Sequence, residues 1–132
     1  MAQGVFAVQQ VFVAPSQGRP RWTENLPACR VLHPGEVAIL AAVAGMLGPE
    51  PKQSVSEVVA RVDEQLAGSC SRLLPAIRHG FDAISRECQR CTGLEFQDMD
   101  EREQVRFVLS LRSGHRLAAF YALIADQCRR AC

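Results

Sequence analysis

No stretch of this 132-residue chain approaches the roughly 20 consecutive apolar residues that a membrane-crossing helix needs. Membrane insertion is therefore not expected. An excess of either charge is also missing, since 15 basic residues face 14 acidic ones for a net charge of +1. Without a basic field, nucleic acid and anionic membrane surfaces are not expected as main partners. Lysine is nearly absent; Lys52 is the only one. Arginine would suit bidentate pairing at an interface. Because Ala, Val and Leu are abundant as well, we read the bias as genome composition.

Several motifs that carry chemistry are missing too. There is no Gly-rich phosphate loop and no dinucleotide fingerprint. His33, His79 and His115 are far apart, and none stands beside a serine, cysteine or carboxylate in a nucleophile motif. Asp63, Glu64, Glu95 and Asp98 read as helix faces and caps rather than as paired acid–base groups. The expectation is a chain without catalytic residues, cofactor or metal of its own. Met1 to Ala14 lacks a basic start, and Gln9 and Gln10 interrupt its apolar run. Arg19 and Arg21 flank a proline instead of forming a twin-arginine pair. As written, the sequence predicts a cytoplasmic location; a periplasmic one requires that a leader was removed or that a partner exports the chain.

What is present is enough for one globular domain, with 48% hydrophobic and 22% charged residues. Residues 1–31 read as an extended N-terminal arm and residues 32–132 as a helical bundle. In the arm, Val5 to Val8 and Val11 to Val13 are β-branched or apolar runs too short for a helix, and a Pro/Gly-rich breaker follows. No second strand is visible to pair with them. The arm either packs on its own domain or adds to a partner's surface. Phe6, Phe12 and Trp22 are its candidate interface residues, because buried aromatics dominate interface energies.

From His33 onward the apolar spacing is helical. Val37, Leu40, Ala41, Ala44 and Leu47 form one stripe, and Ile39, Val43 and Met46 fill a second face, so this helix should be central. Gly48 and Pro49 stop it. Ser54 and Glu57 form a capping box before Val55, Val58, Val59, Val62 and Leu66, with Arg61, Asp63 and Glu64 assigned to the outer face. Leu73, Leu74, Ile77, Phe81, Ile84, Cys88 and Cys91 mark a third, longer helix ending at Gly93. Gly80 inside it should mark a close helix approach, since glycine there costs about 1 kcal/mol relative to alanine. Asp100 and Glu103 open a fourth helix with Val105, Val108, Leu109 and Leu111. Past Gly114, Leu117, Phe120, Tyr121, Ile124 and Cys128 mark a fifth. Five helices with short connections predict an all-α, compact bundle.

Six cysteines are present, and Cys88-Gln89-Arg90-Cys91 is the sharpest local motif. A haem site would need histidine at position 92, which is Thr92, and a redox motif would sit near a βαβ unit. Zinc would need Cys128 and Cys132 as the second pair. Since Cys88 and Cys91 continue an apolar stripe, Cys88, Cys91, Cys128 and Cys132 read first as core thiols or a disulfide. His79, beside Gly80, is the histidine placed to line a groove.

The order of these motifs resembles the gluconate 2-dehydrogenase subunit 3 family. The residues carrying the resemblance are Leu32-x-x-x-Glu36, Leu40, Ala42, Ala44 and the break at Gly48-Pro49. Val62-Asp63-x-x-Leu66, Ile77-x-x-Gly80-Phe81-x-Ala83, Gly93-x-x-Phe96, the helix from Gln104 to Leu111, Gly114 and Phe120-Tyr121 follow. The resemblance implies a small accessory subunit, bound to a large flavoprotein of the glucose–methanol–choline type that carries FAD and oxidises sugars or sugar acids. It implies stabilisation of that partner in a hetero-oligomer. Two competing readings are a free-standing helical adaptor or regulator and a thiol or zinc protein built on the four C-terminal cysteines.

Overall fold

A helix that is apolar on nearly every face has to be surrounded, and the run from Val37 to Ala44 meets that requirement. The computed structural model describes residues 20–47, 54–112 and 117–131. In it, helix α1 (Pro34–Met46) has every residue from Glu36 to Ala44 buried. Pro34 suits the first turn, where a missing N–H costs no helical hydrogen bond. Glu36 Oε1 accepts the His33 N–H at 2.8 Å and closes the helix start. Four more helices surround it, and each packs against α1: α2 (Val55–Ala67), α3 (Leu74–Thr92), α4 (Glu101–Arg112) and α5 (Ala118–Ala131). Three short 3-10 turns, Arg21–Thr23, Ser71–Leu73 and Phe96–Asp98, complete the order. The described residues contain no strand, and the all-α bundle expected from the spacing is the fold.

The helix boundaries follow local chemistry. Ser54 Oγ accepts the Glu57 N–H at 3.2 Å while Glu57 Oε1 accepts the Ser54 N–H at 2.9 Å. Asp100 and Glu103 make the same reciprocal pair, at 2.8 and 3.0 Å. Helix α3 stops at Gly93, whose φ of 76° lies in the left-handed region that a side chain disfavours. The stops read at Gly48, Pro49 and Gly114 lie outside the described residues.

The predicted stripes need local correction. In α4 the buried residues are Gln104, Phe107, Val108 and Leu111, while Leu109 is 42% exposed. The face turned inward is therefore shifted, because Gln104 has a buried partner to meet. In α3, Leu73 falls in the preceding 3-10 turn and is exposed, and Cys91 is exposed as well. In α2, Asp63 belongs to the buried face, not the outer one. No helix among the described residues is long and apolar enough to cross a membrane.

Gly80 sits where α3 meets α5. A Cβ added there would lie 2.2 Å from the Phe120 ring, which itself packs edge-on against Phe81 with ring centroids 5.5 Å apart. Phe120 is thus held from two sides. Gly80→Ala should lower stability by about 1–3 kcal/mol through overpacking, although alanine improves helix propensity by about 1 kcal/mol. Urea denaturation checks this; a more stable variant would mean that α5 is free to shift.

Candidate docking surface

Residues 20–33 run across the bundle outside any α-helix, and polar groups hold them there. The side chain of Asp63, on α2, accepts three successive backbone N–H groups, from Arg30 at 2.7 Å and from Val31 and Leu32 at 3.0 Å each. It is 4% exposed. Burial alone would raise its carboxyl, but the three N–H donors outweigh burial and hold it below the usual carboxylate range. Arg78, on α3, reaches the Val31 carbonyl with one guanidinium nitrogen, and its Nε lies 3.6 Å from Glu36. One strand of chain is thereby tied to α1, α2 and α3.

Trp22, a candidate interface residue, is 4% exposed and belongs to this chain's own core. Its indole N–H donates to Gln104 Oε1 at 2.8 Å. The Gln104 amide in turn donates to the Phe96 carbonyl at 3.0 Å, so a buried polar chain links the N-terminal segment to α4 with its donors matched. The Trp22 side chain packs against α1, where a Cβ at Gly45 would come within 2.6 Å of it. Beside it, Arg21 Nε and N–H both reach the Glu101 carboxylate, at 3.0 and 2.9 Å. Phe6 and Phe12 lie outside the described residues.

His79 is exposed and lines an open groove of about 610 Å³ between the start of α1 and α3. His33, Glu36, Arg78 and Asp82 share it. A second groove of about 630 Å³ lies across the start of α4, with Pro20, Leu26, Pro34, Ala38 and Met99 as its apolar walls and Asp98, Asp100 and Glu103 at its edge. Few large apolar side chains are exposed elsewhere: Leu73, Leu94 and Leu109.

The cysteine motif is divided between core and surface. Cys88 is fully buried, with its sulfur 3.9 Å from Met99 Sδ and 3.8 Å from Thr92 Oγ1. Cys91 is exposed, and its thiol donates to Glu87 at 3.4 Å. Cys128 is buried and Cys132 lies outside the described residues. Burial pushes the Cys88 thiol up; burial, and then the Asp63 charge, push Cys29 up to about 11. Neither is a ready thiolate at neutral pH. Among the described residues, no three His, Cys, Asp or Glu side chains gather in a group able to hold a metal ion.

Asp63 and Gln104 were the residues missed from sequence. Asp63 stands four residues after Val59 and three before Leu66, on the same face as both, and that spacing was the available signal.

Asp63→Asn should cost about 2–3 kcal/mol at neutral pH, because an amide offers one acceptor oxygen and no charge to three donors. The carboxyl is depressed in the folded state, so its contribution is full above the ordinary value of 3.8 and is lost as the pH falls through the lower folded value. Urea titrations of both proteins should therefore converge below pH 3.8; an unchanged gap would mean that the carboxylate charge is not what holds the segment. His79→Ala, by contrast, should change stability by less than about 0.5 kcal/mol, as thermal denaturation will read.

The model of the family described as gluconate 2-dehydrogenase subunit 3 matches residues 34–130. Neither the curated proteins nor the solved structures hold a significant match. The matched span begins at the first residue of α1 and runs almost to the end of α5, taking in Asp63, His79 and the acidic edge of the α4 groove. With all five helices and most of its length inside that match, the chain belongs to the gluconate 2-dehydrogenase subunit 3 family.

Proposed function

We propose that this chain is the non-catalytic small subunit that binds and stabilises a larger, flavin-dependent sugar or sugar-acid oxidoreductase of the glucose–methanol–choline type. The observation that carries the reading is the family match over the whole helical framework, whose description is that of a dehydrogenase subunit. A subunit of a multi-subunit dehydrogenase has a larger partner, and in this proposal FAD and the oxidation both belong to that partner. The uses of the buried polar groups support a scaffolding role. Glu36 closes α1 and meets Arg78, Asp63 holds backbone, Glu87 pairs with Arg90 and Gln104 receives Trp22. Each holds this chain together.

A partner that binds only the folded large subunit stabilises it by mass action, by about 2.7 kcal/mol when present at 100 times Kd. Co-expression of the full chain with a flavoprotein large subunit of the glucose–methanol–choline type should give one complex on gel filtration. Its large subunit should be more soluble, more fully loaded with FAD and higher-melting than the same subunit made alone. Equal solubility, FAD content and activity without this chain would defeat the reading and favour a free-standing adaptor.

A further inference from the structure

We propose that the groove across the start of α4 is where the large subunit docks, and that its occupant is a segment presenting an apolar side chain flanked by arginine or lysine. This rests on the subunit reading above and adds to it the surface and the chemistry of the partner's segment. The groove is mixed inside, where Thr23 and Gln97 lie beside the apolar side chains, and acidic at its edge. Pro20, Leu26, Ala38 and Met99 supply the walls, and Asp98, Asp100 and Glu103 stand exposed along one side.

Among the described residues, no cation meets the charge at this edge. Asp98, Asp100 and Glu103 enter no ion pair among the described residues. Asp100 Oδ1 and Glu103 Oε1 each take the other's backbone N–H, which leaves one oxygen of each carboxylate for an outside donor. The neighbouring Glu101 shows how an arginine engages this edge. Arg21 closes on it with both backbone N–H and Nε, and the Arg21 guanidinium lies 6.0 Å from the Trp22 ring centroid. An incoming arginine would find three more carboxylates beside that pair and apolar wall for its stem.

Charge also separates the occupants. The chain's own residues 1–19, which precede the groove wall at Pro20, carry one basic side chain, that of Arg19. One cation does not answer three carboxylates. The groove at His79 mixes His33 and Arg78 with Glu36 and Asp82, so its edge presents no single sign of charge. Of these two grooves, the one at α4 specifies the charge of what it takes, and charge complementarity at a rim sets encounter rate and partner choice.

The test uses the full chain and the co-expressed flavoprotein subunit, with Kd measured at low and at high salt. Asp98→Asn/Asp100→Asn removes two charges and keeps a helix-capping side chain at position 100. The wild-type complex should weaken as salt rises. The double variant should bind about five- to tenfold more weakly at low salt and approach wild type at high salt, where the Debye length falls to about 3 Å. Asp82→Asn, in the other groove, should bind as wild type, with circular dichroism checking that each variant is folded. Binding of the double variant equal to wild type, or an equal loss in Asp82→Asn, would overturn the docking site while leaving the subunit reading intact. Failure of the wild-type chain to bind at all would instead sink the subunit reading, and this inference with it. A wild-type dimer that the double variant abolishes would assign the groove to a second copy. Tighter binding after deletion of residues 1–19 would assign it to the chain's own start. Either result overturns the proposal.

Discussion

One carboxylate, that of Asp63, receives three consecutive backbone N–H groups, and the placement of the described segment before α1 depends on it. The chain from Pro20 to His33 has no helical ladder to satisfy its donors, apart from one 3-10 turn. Laid against an apolar bundle, those donors would be stranded at a cost of about 1–3 kcal/mol each. Asp63 meets three of them at once. The segment is then close enough for Trp22 to seat on Gly45 and for its indole N–H to find Gln104.

The same arrangement decides which surfaces are left for a partner. With Trp22 inside, the largest aromatic of the described N-terminal segment is used within the chain. Pro20 and Leu26 become one wall of the α4 groove, against Pro34 and Ala38 of α1. Arg21 is drawn onto Glu101, and Asp98, Asp100 and Glu103 of that edge meet no cation among the described residues. An anchor between α2 and the N-terminal segment therefore shapes a groove at α4. Internal stability and the outward surface come from one set of contacts.

Much of the fold was legible because helices announce themselves locally. The reciprocal pairs Ser54–Glu57 and Asp100–Glu103, the left-handed Gly93 and the apolar density of α1 are all short-range signals, and each stands where the spacing placed it. Gly80 was legible as a close approach, though not that Phe120 would fill it. Legibility failed where a polar residue lay on a buried face. Asp63 was set outside because a carboxylate is rarely buried unless paired, and its partners are backbone groups some thirty residues away. Gln104 was passed over in favour of Leu109 for the same reason; its partner, Trp22, is 82 residues distant.

The sequence by itself determined the five helices, the boundaries at Ser54, Gly93 and Asp100, the centrality of α1 and the family, since each of these rests on residue spacing along the chain. Only the tertiary structure decided that Trp22 is core, that Cys88 and Cys91 part company between interior and surface, and that Asp63 is an anchor. It also brought Pro20, Ala38 and Asp98 to a single groove. The physical reason is the range of the interactions. Capping and helical periodicity act over three or four residues, whereas a buried polar group takes its meaning from a partner that only folding brings near.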